Sequence, residues 1–178
     1  MADRFSKEQR SLVMSHIRSS DTKPETTLRR ALWHMGFRYV VNDKRLPGKP
    51  DMVLPKYRTV VFIHGCFWHA HKGCGTFKMP RSNTEYWGKK IANNIARDQE
   101  VWRQLEAKGW SVIIVWECQL KKAVYEETIQ SVVAELQENG KRYQELREER
   151  KVSRLAYLQE RKTRKEKEEA FMAQLHSR

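Results

Sequence analysis

The chain has 178 residues, with 35 Lys and Arg against 22 Asp and Glu for a net charge of +13, and only three cysteines. That length fits one domain with a substantial core, the charge favours a polyanion, nucleic acid first, as partner, and no stretch approaches the ~18 apolar residues of a membrane span. An odd cysteine count fits no disulfide framework, and the polar N-terminus lacks the apolar core of a secretory signal, so a cytoplasmic protein with reduced thiols is expected.

In chain order, SKEQRSLVMSHI begins with Ser6 and has Gln9 three residues later, a capping box ahead of Leu12, Val13 and Ile17 at helical spacing, and it predicts a first helix. DTKPETTLRRALWHMGF repeats the signal, with Thr22 as N-cap, Pro24 in the first turn, Glu25 three residues after the cap and Gly36 to close. This second helix should bury Leu28, Leu32 and Met35. FRYVV reads as a strand, LPGKPD as a turn into the strand DMVLP, and KY as the turn back into RTVVFIH. Such a meander sets Asp51 at the start of one strand and His64 at the end of the next. The apolar run 60–63 suggests burial on both faces. Over 84–108, Trp87, Ile91, Ile95, Val101, Trp102 and Leu105 recur at helical intervals, and Gly109 stops that helix. SVIIVWE is a further buried strand with Cys118 at its end. A helix followed by a buried, parallel-type strand makes an α/β sandwich the most economical architecture.

Residues 141–178 hold twelve Lys and Arg against seven Glu, with Leu146, Val152, Leu155, Leu158, Phe171 and Leu175 thinly spaced. They read as a charged helical extension beyond a domain spanning 1–140. It is either a solvated tail or an arm that contacts DNA or a protein partner.

The chemistry concentrates in HGCFWHAHKGC, residues 64–74. Cys66, His71 and Cys74 with the remote Cys118 form the three-thiolate, one-imidazole complement of tetrahedral structural zinc; three ordinary buried cysteines are the alternative. Four protein ligands leave no open position, so such a zinc would staple the loop to the strand ending at Cys118. His64 and His69 are then left over beside Asp51, either as satisfied structural histidines or as a catalytic pair. Mg²⁺ needs oxygen ligands, and one carboxylate with one backbone carbonyl suffices when phosphate oxygens complete the shell, while a neutral imidazole activates the attacking water. Phe67 and Trp68 either pack inward or stand exposed as a wedge between base pairs.

GKPDMVL, VVFIHGCFWHAHKGC, SNTEYWGKKIANNIARD and GWSVIIVWEC, in that order and spacing, resemble the very short patch repair (Vsr-type) DNA mismatch endonucleases over roughly residues 6–120. The resemblance implies a restriction-endonuclease-like α/β fold, a central mixed β-sheet flanked by helices, with a structural zinc site. It implies a Mg²⁺-dependent nick in double-stranded DNA on the 5′ side of the thymine in a T·G mismatch left by 5-methylcytosine deamination. Magnesium falls on Asp51 and on the backbone carbonyl of Ile63, where the family usually carries threonine; a carbonyl ligand tolerates that change. His69 becomes the general base, His64 a phosphate or leaving-group partner, Glu25 a carboxylate near the metal waters, and Asp98 the residue orienting His69. The zinc set falls on Cys66, His71, Cys74 and Cys118, and Phe67, Trp68 and Trp87 match the aromatics that enter the duplex. A monomer is expected, because an asymmetric mismatch gives no reason for a two-fold axis. Two other readings stand beside it: a restriction-type endonuclease on paired DNA, and a non-catalytic zinc-containing DNA-binding module.

Overall fold

Alternation along one strand decides which helix covers which face of the sheet. Strand β3 (Thr59–His64) is buried along almost its whole length. Its Val61 joins Leu28 and Leu32 of helix α1 (Lys23–His34) and Ile129, Val132 and Leu136 of helix α3 (Tyr125–His176) in one apolar cluster. Its Val60 and Phe62 join Leu105 of helix α2 (Thr84–Ala107) in another, with Val101 and Trp102 packed alongside. Period-two alternation sends successive side chains to opposite faces, so a strand apolar at both phases must be covered twice. The computed structural model describes Gln9, Leu12 and residues 20–176, and the first expected helix lies outside these residues apart from Gln9 and Leu12, both helical.

The sheet runs β1 (Val40–Val41), β2 (Met52–Leu54), β3, β4 (Ser111–Trp116) in spatial order. The first three strands are an antiparallel meander, with Met52 opposite Val61. Strand β4 lies parallel to β3, from Thr59 opposite Ser111 to His64 opposite Trp116. The result is the mixed four-stranded sheet flanked by helices of an α/β protein. Parallel register makes β3 and β4 end at the same level, so the segments that follow them emerge side by side. Crevices at the carboxyl ends of parallel strands are where α/β sheets bind ligands.

Local signals explain the boundaries. Glu25 accepts the Asp21 amide (2.9 Å) and the Thr22 hydroxyl (2.8 Å), so the start of α1 is closed by the Glu25 side chain reaching back, while Thr22 itself makes no side-chain cap bond. At the other end Gly36 takes φ +87. Met35, expected to be buried, is 51% exposed: it is the residue after the last helical turn, and Phe37 fills the core position as its amide bonds back to the Leu32 carbonyl. Helix α2 ends before Gly109 at φ +73. The contacts of the chain fall into two units divided after Asn139. Among the described residues no helix is long and apolar enough to cross a membrane.

Gly48, in the turn leading to Asp51, adopts φ +70, and a Cβ there would lie 2.4 Å from Val101 Cγ1. Gly48→Ala should therefore cost about 2–4 kcal/mol, combining the left-handed backbone penalty with overpacking. Thermal melting checks this, and adding Val101→Ala should recover the overpacking part only.

Candidate active site and metal centre

Everything singled out in residues 51–118 gathers where β3 and β4 end. Asp51 stands just before β2, and its Oδ2 accepts the Ile63 amide at 2.7 Å. Burial pushes the Asp51 carboxyl up to about 6, against the pull of that amide, and nearby Glu25 adds to the rise while Arg29 and Lys49 oppose it. A half-buried carboxylate whose charged form is disfavoured, with a second carboxylate close by, fits a hard divalent cation. Glu25 is 5% exposed and fully engaged, bonded to Arg29 Nη2 at 2.8 Å as well as to the cap. Asp51, Glu25, His64, His69 and Asp98 line one cleft.

The two histidines are coupled by stacking. His64 and His69 lie ring on ring, 3.8 Å between centroids and 16° apart, with the Trp102 ring 5.9 Å from His64. Burial, then the neighbouring His69, lowers His64 to about 4, so it is neutral near pH 7. His69 Nδ1 contacts Asp98 Oδ2. Burial raises the Asp98 carboxyl, but the hydrogen bond and charge of His69 outweigh it and hold Asp98 below its ordinary range. An ionised carboxylate only accepts, so Nδ1 carries the proton, and in the neutral ring Nε2 keeps a lone pair.

The loop after β3 coils back on itself, the His71 amide donating to the Cys66 carbonyl at 2.9 Å and the His69 amide to the Gly65 carbonyl at 3.3 Å. That turn brings His71 Nδ1 to 3.5 Å from Cys66 Sγ and 3.3 Å from Cys118 Sγ. The ligand atoms of Cys66, His71, Cys74 and Cys118 all lie within 4.8 Å of one another. A tetrahedral zinc with these donors requires edges of about 3.6 Å between S and N, so the residues fit that ion. Cys118 belongs to a 3₁₀ turn, Glu117–Leu120, immediately past β4. Burial pushes the Cys66 thiol up to about 12. Cys74 is also raised by burial, but hydrogen bonds from the Phe77 and Thr76 amides prevail and bring it down to about 6.

Phe67, Trp68 and Trp87 form an aromatic cluster, with centroids 5.2 Å apart for Phe67–Trp68 and Phe67–Trp87 and 6.0 Å for Trp68–Trp87. All three are half-buried, which lies between packing and full exposure. Asn94 of α2 pins the loop by donating to the Trp68 carbonyl at 2.9 Å.

Sequence alone does not mark three further residues. Arg29 bonds Asp21 (2.5 Å), Glu25 and the Asp51 carbonyl (3.3 Å), tying α1 to the backbone of Asp51; its only signal is the four-residue step from Glu25. Glu117 accepts the Cys66 amide at 3.0 Å. Trp116 stacks on His71 at 4.1 Å and 3° and meets His64 edge-on at 5.4 Å, so one indole spans the thiol cluster and the histidine pair. Only packing assembles these contacts.

Comparison with known proteins agrees with this geometry. Residues 2–75 match the family model described as DNA mismatch endonuclease Vsr. The Type II nicking enzyme V.NmeAIP of Neisseria meningitidis serogroup A is 50% identical over 139 residues, 78% of this chain and 99% of that protein. The Type II nicking enzyme V.XorIIP of Xanthomonas oryzae pv. oryzae is 47% identical over 120 residues, 67% of this chain and 88% of the relative. The DNA mismatch endonuclease Vsr of Escherichia coli K12 is 46% identical over 121 residues, covering 68% and 77%. With half of 139 aligned residues identical across nearly the whole of one such relative and its acid and imidazole groups converging on one cleft, this chain belongs to the Vsr family of DNA mismatch endonucleases.

Proposed function

We propose that the domain spanning 1–140 nicks double-stranded DNA on the 5′ side of the thymine in a T·G mismatch left by 5-methylcytosine deamination, using Mg²⁺ held by Asp51 and the Ile63 carbonyl. The observation that supports this most is the cleft itself, lined by a half-buried carboxylate bonded to the Ile63 amide and by a stacked imidazole pair. Mg²⁺, when bound, supplies charge neutralisation and Lewis acidity at the scissile phosphate. His69, oriented by Asp98, takes the proton of the attacking water at Nε2. His64, neutral at working pH, presents its ring to the phosphate or leaving oxygen. Glu25, braced by Arg29, stands near the metal's waters. Phe67, Trp68 and Trp87 enter the duplex beside the mismatch, and unstacking there is least costly because the pair is already weakened. Cys66, His71, Cys74 and Cys118 hold Zn²⁺, which fixes the aromatic loop against β4. The protein acts as a monomer in the cytoplasm, with residues 141–178 as an extension.

The test is a strand-specific gel assay on a duplex with one T·G mismatch and on its C·G control. A single nick beside the mismatched thymine, dependent on Mg²⁺ and absent from the control, is expected. Equal cutting of both duplexes would replace mismatch repair with a restriction-type activity, and binding without cleavage under any divalent ion would leave a zinc-containing DNA-binding module.

A pH dependence follows from Asp51. Its carboxyl is raised to about 6, so Mg²⁺ must displace a proton below that pH. The Mg²⁺ concentration for half-maximal nicking should therefore climb as pH falls through 6, towards tenfold per unit. A half-saturation value flat from pH 7 to 5 would remove Asp51 as the titrating ligand.

A further inference from the structure

Helix α3 continues beyond Asn139 into the second unit, Gly140–Arg178. A segment of this size has no counterpart in the Neisseria relative, whose length is almost wholly matched by 139 residues. Over 141–169 every side chain is exposed except the half-buried Tyr143 and Thr163. A helix so exposed is shaped by what it meets in solution.

Its acidic residues leave one stripe of the helix basic. Arg147, Arg150, Arg154, Arg161 and Lys165 are separated by three, four, seven and four residues, which places them within about 60° of one another around the helix and along about 27 Å of its length. Glu145, Glu148, Glu149, Glu160 and Glu166 fall about 80° or more from its edges, and Glu168 and Glu169 end it. Lys162, Arg164 and Lys165 pair with glutamates one turn on, at 3.5–3.8 Å. Among the described residues, Arg147, Arg150, Arg154 and Arg161 have no carboxylate partner; Arg147 lies only over the Tyr143 ring, at 5.8 Å. The apolar residues offer no competing seam. Leu146, Val152, Leu155 and Leu158, between 45% and 65% exposed, scatter around the helix rather than repeating at a and d, so neither a coiled-coil partner nor a membrane surface is served.

A row of unpaired guanidiniums with no apolar face suits a polyanion of regular charge, and the forked donors of arginine match phosphate oxygens. We propose that residues 141–169 form an auxiliary DNA-binding arm, in which Arg147, Arg150, Arg154 and Arg161 contact the phosphate backbone of duplex DNA without regard to sequence. This rests on DNA being the substrate, as family membership gives, and not on the choice of mismatch.

The test uses the full-length chain carrying R147Q/R150Q/R154Q/R161Q, since glutamine preserves helix propensity. Binding to a fully paired 30-bp duplex is followed by fluorescence anisotropy from 50 to 200 mM salt. Each phosphate contact removed should reduce the slope of log K against log salt by about one unit. The variant should lose about three to four units and bind at least tenfold more weakly at 100 mM, with unchanged helicity and an unchanged rate constant for nicking at saturating DNA. A companion variant, E145Q/E149Q/E160Q, raises the net charge away from the stripe and should keep the wild-type slope. Equal slopes for wild type and the arginine variant would overturn the arm, as would a DNA-free self-association of the wild type that the variant abolishes. Mismatch nicking by both proteins with equal slopes removes the arm alone, whereas a lost slope with no nicking by the wild type removes the nickase reading and leaves the arm standing.

Discussion

Asp51→Asn should abolish Mg²⁺-dependent nicking and leave the fold intact. Asparagine keeps an oxygen able to accept the Ile63 amide, now bonded at 2.7 Å, and removes the negative charge that would hold the metal. Metal assistance is worth several kcal/mol at the transition state, so a loss on the order of 10³-fold or more is expected in single-turnover gels. Stability should move the other way. The Asp51 carboxyl, raised to about 6 from 3.8, favours the folded state fully only below the pH at which the unfolded chain ionises, and this contribution is lost as pH rises from about 4 to about 6. In the absence of Mg²⁺ the variant should be the more stable at pH 7, by at most about 3 kcal/mol, with the gap closing towards pH 4. A folded variant that still cuts would dissociate Asp51 from catalysis, and one that unfolds would make its carboxylate structural.

Cys118→Ser should produce the largest loss of stability. Cys118 reaches the His71 ring from a different strand end, 3.3 Å between Sγ and Nδ1, and would be the proposed zinc's one ligand from the segment after β4. Losing a structural zinc removes several kcal/mol of folding free energy, and each kcal/mol shifts melting by about 2–4 °C in a chain of this size, so a fall on the order of 10 °C is expected. Zinc content, measured by thiol-triggered release, should drop from one per chain towards zero. Nicking should fall with it, because Trp116 connects His71 to His64 by ring contacts. Unchanged melting with zinc verifiably gone would make the cluster dispensable to the fold.

Much of this was legible because it lies in short-range pattern. The meander was written in LPGKPD and the apolar run after it, and it alone set Asp51 beside the end of β3. The clustering of Cys66, His71, Cys74 and Cys118 was legible because no cysteine was left over once Cys118 was counted. Met35 was not, since helical periodicity continues through it while the chain has already turned at Gly36, where Phe37 takes the core position. Arg29, Trp116 and Glu117 were invisible for a different reason: a buried arginine bridging two carboxylates looks like any helical Glu–Arg pair until the sheet brings the Asp51 carbonyl to it. The stacking of His64 on His69 likewise depends on how the loop coils after Gly65, which no spacing rule specifies.

We assign the divalent ion to Asp51, although a second group, His64, His69 and Asp98, also has ligand atoms within 4.8 Å of one another. Crystals of the full chain grown with zinc and soaked in Mn²⁺ as a stand-in for Mg²⁺ separate the two by anomalous scattering. A manganese peak is expected against the Asp51 carboxylate and the Ile63 carbonyl, with a zinc peak among Cys66, His71, Cys74 and Cys118. A manganese peak between His64, His69 and Asp98, with none at Asp51, would contradict it.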